Sequence, residues 1–176
     1  MKIKLNNVRL SFPSIFYKAK YGGEETKYEA TFLLDKDTHA EKIEEINEAI
    51  KSMIKTELKV QKLGAEKICF KDGDEIGYDG YDNTMSFKAS SSKRPLAFDR
   101  DKTPLTDDDN RLYAGCYVNA IVELWAQNHP TYGKRINANL HGVQFWKDGK
   151  PFGSGASVSA DDFDAFDDDE EVDFMS

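Results

Sequence analysis

Residues 113–146 constrain the fold more than any other stretch. Cys116, Val118, Ala120, Val122, Leu124 and Ala126 fall on one parity, and Tyr117, Asn119, Ile121, Glu123 and Trp125 on the other. That alternation with a period of two over 113–126 predicts a long β-strand. Beyond the turn residues Asn128, His129 and Pro130 the pattern resumes over 134–146. There Ile136, Ala138 and Leu140 share one parity, while Val143 and Phe145 take the opposite one past Gly142. A glycine at such a flip marks a bulge or a barrel corner.

The rest of the chain supplies shorter strands and one helix. Over 2–12, Ile3 and Leu5 share a face, and Val8, Leu10 and Phe12 take the other parity after Asn6 and Asn7, a slip that a β-bulge produces. Phe12 and Phe87 share parity with core residues and are expected inside. Tyr28, Ala30, Phe32 and Leu34 alternate with Glu29 and Thr31, and Met85, Phe87 and Ala89 alternate with Ser86, Lys88 and Ser90. Between these two strands Ile43, Ile46, Ile50, Met53, Ile54 and Leu58 form one helical stripe, opened by Thr38 and Glu41 as a capping box. Residues 14–27, 64–83 and 99–110 read as polar loops. About five strands with one amphipathic helix suit a small barrel with the helix plugging one end. The expected fold class is all-β with one helix, an OB-fold-like five-stranded barrel with a disordered acidic C-terminal tail. A two-layer α+β sandwich is the alternative.

The tail is read from charge. The chain has 24 basic and 32 acidic residues, a net charge of −8. Nine of the acids lie in the last sixteen residues, which hold no Lys or Arg: Asp161, Asp162, Asp164, Asp167, Asp168, Asp169, Glu170, Glu171 and Asp173. Without them, residues 1–160 carry 24 basic against 23 acidic groups, about +1. Phe163, Phe166, Val172, Phe174 and Met175 offer too little apolar surface to offset the entropy of ordering so many like charges. The chain therefore divides into a folded domain, 1–154, and an acidic tail, 155–176. The tail reads either as a solubilising arm or as a docking segment that also competes for a basic groove on the same protein.

Catalytic and metal chemistry find little support. Asp72, Asp74 and Gly77 match three positions of a calcium-binding loop, but Ile76 and Asn83 stand where further ligands are needed. His39, His129 and His141 have no zinc-like spacing with Cys69 and Cys116, and His141 is expected to be a hydrogen-bonded sheet residue. The two cysteines fit reduced thiols in a cytosolic compartment. No phosphate loop or nucleophile motif occurs. The expectation is a non-enzyme with no cofactor and no metal. No apolar run nears the roughly 18–20 residues that span a bilayer, so no membrane role is expected.

The positive signal is cations mixed with aromatic rings, which suits a single-stranded nucleic acid: cations hold phosphates while rings stack on bases. One set is Phe12, Phe16, Tyr17, Lys18, Lys20 and Tyr21; a second is Phe87, Lys88, Lys93, Arg94, Phe98 and Arg100; a third is Trp125, Tyr132, Lys134 and Arg135, with Phe12 and Phe87 set apart as core residues by their parity.

Taken in order, RLSFPSIF at 9–16, KYEATFLLDKD at 27–37, GYDGYDNTMSFKASSSKRP at 77–95, YAGCYVNAIVELWA at 113–126 and INANLHGVQFWKDG at 136–149 carry more information than any single motif. They strongly resemble a family of bacteriophage single-stranded-DNA-binding proteins long catalogued as a domain of unknown function. The resemblance implies an OB-fold, sequence-tolerant binding of single-stranded DNA, and a role in phage replication or recombination in the host cytoplasm. It also implies that Asp161, Asp162, Phe163, Phe166, Asp167, Asp168, Asp169, Glu170, Glu171, Asp173 and Phe174 form a tail that recruits replication or recombination proteins. Many such tails end on an aromatic residue, whereas here Met175 and Ser176 follow Phe174. A homo-oligomer is compatible with this reading. The alternative is an acidic protein-interaction module or DNA mimic that does not bind DNA itself. A mimic needs its carboxylates fixed on a folded surface, and here they crowd into the tail.

Overall fold

The computed structural model of the protein describes residues 1–152. In chain order it contains β1 (Lys2–Ser14), a small hairpin of β2 (Lys20–Tyr21) and β3 (Glu24–Glu25), β4 (Tyr28–Asp35) and α1 (Ala40–Thr56). Then follow β5 (Phe70–Asp72), the single turn α2 (Gly73–Ile76), β6 (Thr84–Ser91), β7 (Leu96–Phe98), β8 (Tyr117–His129) and β9 (Gly133–Lys147). The acidic stretch and the end of the predicted folded domain lie outside the described residues.

Five strands close on themselves. β1 pairs with β4, β4 with β6, β8 with β1 and β9 with β8, all antiparallel, and a parallel bridge from Ser90 to Asn139 joins β6 to β9. Around the barrel the five run first, second, third, fifth, fourth in chain order, the OB-fold arrangement; the barrel reading holds and the sandwich does not. Leu5, Val8, Leu10, Phe32, Leu34, Phe87, Val118, Val122 and Ile136 fill the interior with no exposed surface. Ile46, Ile50, Met53, Ile54 and Leu58 from α1 and its C-terminal end join the same core, with the helix set against β8 and β9. The buried side chains on β8 and β9 are those the alternation selects, and His141 hydrogen-bonds Glu123 at 2.8 Å.

Bulges bend the long strands. One separates Leu5 from Val8 and places Asn7 at φ +56°, a conformation asparagine tolerates well. Another shifts β9 between Leu140 and Gly142, where the parity flip predicts it. A third, between Ser11 and Ser14, gives Phe12 a φ of +45° and turns its ring outward. Phe12 is 53% exposed, not a core residue, because the bulge breaks the alternation one position before Pro13. Phe87 is fully buried, as expected.

The helix start also differs from the capping-box expectation. Asp35, rather than Thr38, organises the turn: its carboxylate accepts from the backbone N–H groups of Asp37 (2.8 Å) and Thr38 (3.0 Å). Those two bonds hold its carboxyl below the usual range. The N-cap falls on His39, which makes no side-chain cap and instead reaches the Asn6 carbonyl at 3.0 Å.

Candidate nucleic-acid interface

The outer faces of β4 and β6 form the floor of a groove of about 880 Å³. Glu29 and Thr31 come from β4, and Ser86, Lys88 and Ser90 from β6. One wall is the loop between β1 and β4, which contributes Lys20, Tyr21 and Lys27 through the β2–β3 hairpin. The opposite wall is the end of the β8–β9 hairpin, with Trp125, Gln127, Arg135, Asn137 and Asn139. In OB-folds this face and these two connections hold oligonucleotides and oligosaccharides.

The groove is cationic where the body as a whole is close to neutral. Among the described residues, Lys20, Lys27, Lys71, Lys88 and Arg135 line it, against the single carboxylate of Glu29. Trp125, Tyr21 and Tyr78 present exposed rings, and Phe12 joins them through its bulge. Phe12 and Tyr78 meet edge to face with centroids 5.6 Å apart, and Tyr78 meets Tyr81 in the same way at 5.3 Å. Tyr81 is buried and anchors the ridge through a 2.6 Å hydrogen bond between its hydroxyl and that of Ser11. Uncharged donors and acceptors are plentiful between the cations, with Asn137 donating to Gln127 at 2.9 Å. Cys69 lies in the floor as a neutral thiol, its pKa pushed up to about 12 by burial.

Tyr21 and Glu29 are joined directly. The phenol donates to the Glu29 carboxylate, and Lys88 Nζ lies 3.8 Å from the same oxygen. The bond to Glu29 pushes the Tyr21 phenol up to about 12, so it remains a donor at neutral pH.

Of the sequence-predicted residues, Lys20, Tyr21, Lys88, Trp125 and Arg135 converge on this groove. Phe16, Tyr17, Arg94 and Phe98 gather instead around a smaller recess of about 470 Å³ beside β7. Arg94 lies 6.0 Å from the ring of Tyr28, next to the end of the groove floor. Lys18 and Lys93 lie outside both concavities. Tyr132 caps the β8–β9 turn, 72% exposed, with its ring 4.8 Å from His129. Arg100 lies 4.1 Å over the ring of Trp146 and donates to its carbonyl. Lys134 donates to the Leu58 carbonyl at 2.9 Å.

Sequence reasoning weighed Phe12 and placed it in the core, and it did not select Lys27, Lys71 or Tyr78. The second tyrosine-rich turn, GYDGYDN, held the only legible hint, since its rings are spaced like turn residues rather than strand residues. The calcium-like carboxylates meet a different partner: Asp72 and Asp74 both bind Lys36 Nζ, at 2.7 and 2.8 Å. Asp72 also caps α2 by accepting from the Asp74 N–H.

A family model described as Enterobacter phage Enc34, ssDNA-binding protein, matches residues 1–175. Protein p50 of Acyrthosiphon pisum secondary endosymbiont phage 1 is 41% identical over 174 residues, covering 93% of each chain. The structure of the single-stranded DNA-binding protein from bacteriophage Enc34 in complex with ssDNA superposes with a TM-score of 0.78. It is 33% identical and covers 86% of this chain and 89% of that one. The single-stranded DNA-binding protein gp2.5 of bacteriophage T7 shares the fold at a TM-score of 0.52 and 10% identity, covering 90% of this chain and 98% of its own.

Proposed function

Because the chain belongs to the family of the Enterobacter phage Enc34 ssDNA-binding protein, we propose that it binds single-stranded DNA without reading its sequence. The strand lies in the groove over β4 and β6, its phosphates on Lys20, Lys27, Lys71, Lys88 and Arg135 and its bases against Trp125, Tyr21, Tyr78 and Phe12. The observation that carries this reading is the local concentration of five cations and four exposed rings on a body of nearly neutral charge. A neutral body cannot rely on a long-range field, so local grip and stacking must supply the affinity. The recess holding Tyr17 and Arg94 extends the same path beyond the floor. The protein acts by binding rather than by chemistry, in phage replication or recombination within the host cell.

The acidic tail regulates this groove and recruits replication or recombination proteins. Support comes from the position of Phe152. Phe152 lies with its ring 6.4 Å from that of Tyr81, the buried base of the groove's aromatic ridge, under the guanidinium of Arg9 at 4.2 Å. Eight residues lie between Phe152 and Asp161; fully extended, the nine steps from one to the other reach about 30 Å, enough to bring the carboxylates over the cations.

Titrating the full chain with oligothymidine at several salt concentrations tests both parts. Log affinity should fall linearly with log salt, with a slope of about 3.5 if each of the five cations takes one phosphate. Deleting Asp161–Ser176 should tighten binding at low salt and abolish partner capture. A flat salt response would remove the nucleic-acid reading, and an affinity untouched by the deletion at every salt concentration would remove tail competition.

A further inference from the structure

A carboxylate in a phosphate-binding groove is a liability, and Glu29 is the one carboxylate among the described residues lining this groove. It is only 8% exposed. A buried charge persists where partners hold it, and Glu29 has two: the phenol of Tyr21 and the ammonium of Lys88. Its backbone sits on the central strand β4, paired with Ser14 on one side and Ser90 on the other. Tyr21 sits in the β2–β3 hairpin, whose strands are two residues each and fully on the surface. The bond between them therefore ties a short surface hairpin to a strand paired on both sides in the barrel. It also fixes the ring of Tyr21 on the groove wall, 6.0 Å from Lys88 Nζ.

We propose that Glu29 is a positioning residue that holds Tyr21 as a stacking platform for an unpaired nucleobase. The ring plane of a tyrosine on a short hairpin is free to turn; anchored through its hydroxyl it is pre-set, so that less rotamer freedom is lost when a base stacks. Lys88, held near the same carboxylate, is placed to receive the phosphate next to that base. The inference rests on the groove being the DNA site.

The test uses the full-length chain, oligothymidine titrations across salt concentrations, and thermal melts of every variant. Tyr21→Ala should loosen binding about tenfold, the worth of one stacked base. Glu29→Ala should loosen it about as much, and the double variant no further than either alone. Glu29→Gln, whose amide oxygen still accepts from the phenol, should stay within about twofold of the parent. Tyr21→Phe keeps the ring but loses the anchor, so it should loosen binding several-fold while the melting temperature falls by no more than a few degrees, Lys88 still holding the Glu29 carboxylate. The salt slope should not change for Tyr21→Phe, because no phosphate contact is lost. Tighter binding and a steeper slope for Glu29→Ala would show that the carboxylate only repels DNA and would overturn the proposal. So would parental affinity for Tyr21→Phe, which reads out the loss of the anchor even where Glu29→Ala fails to fold. A parent chain that ignores oligothymidine would instead remove the groove reading itself.

Discussion

The ring of Phe12 reaches the groove because its backbone adopts φ +45°, a left-handed conformation that costs a non-glycine residue about 1–3 kcal/mol. A residue half in solvent gains too little from burial to offset that strain, so the conformation is expected to be kept for what the ring does. Phe12→Gly should remove the strain and the ring together. The melting temperature is expected to hold or rise, while oligothymidine binding weakens roughly fivefold or more, within the about 1–3 kcal/mol of a base stack. A fall in melting temperature with unchanged binding would assign the ring a packing role instead. Phe12 is also where sequence reasoning and structure part. Its parity with Val8 and Leu10 places it in the core, and nothing local announces the second bulge, whereas the first has Asn7 to mark it. The rings that line the groove are therefore only partly legible: Tyr21 and Trp125 stand out in a loop and on a mixed strand face, while Tyr78 lies in a turn whose packing against Tyr81 and Phe12 is tertiary.

At the scale of elements, the β8–β9 hairpin does two jobs with adjacent residues. Arg135 faces the groove, whereas Lys134 sends its ammonium to the Leu58 carbonyl at the C-terminal end of α1, where a cation is favoured. Charge in the sequence assigns both to DNA; only the pairing of the hairpin with the helix separates them. Lys134→Met should lower the melting temperature by a few degrees, matching about 1–2 kcal/mol for a charge-assisted hydrogen bond, and leave the salt slope unchanged. Lys88→Met, on the groove floor, should do the opposite: a melting temperature shifted less than that of Lys134→Met, since the Tyr21 phenol still holds Glu29, and a slope smaller by about 0.7. Reversed outcomes would place Lys134 on the strand and Lys88 in the scaffold. The strands themselves were legible because a two-residue period runs through the eight to thirteen residues of β4, β6 and β8 and, with one flip at Gly142, through the fifteen of β9. The pieces β2, β3, β5 and β7, of two or three residues, are too short to carry a period, and they emerge only from pairing.

For the molecule as a whole, the barrel was readable from the sequence because the core-facing parity of five strands and one helix leaves few ways to bury it. The groove was not, since its floor takes polar residues from two strands and its walls come from connections more than a hundred residues apart, Tyr21 and Trp125 among them. Those two walls make a prediction about where on the molecule the strand lies. Of the two tryptophans, Trp125 faces the groove, while Trp146 sits under Arg100 away from it. The most direct measurement is therefore intrinsic fluorescence on titration with oligothymidine, in Trp146→Phe and in Trp125→Phe. Saturable quenching should persist in Trp146→Phe and vanish in Trp125→Phe. Quenching that survives in Trp125→Phe and disappears in Trp146→Phe would put the unpaired strand on the other side of the barrel and contradict the assignment of the groove.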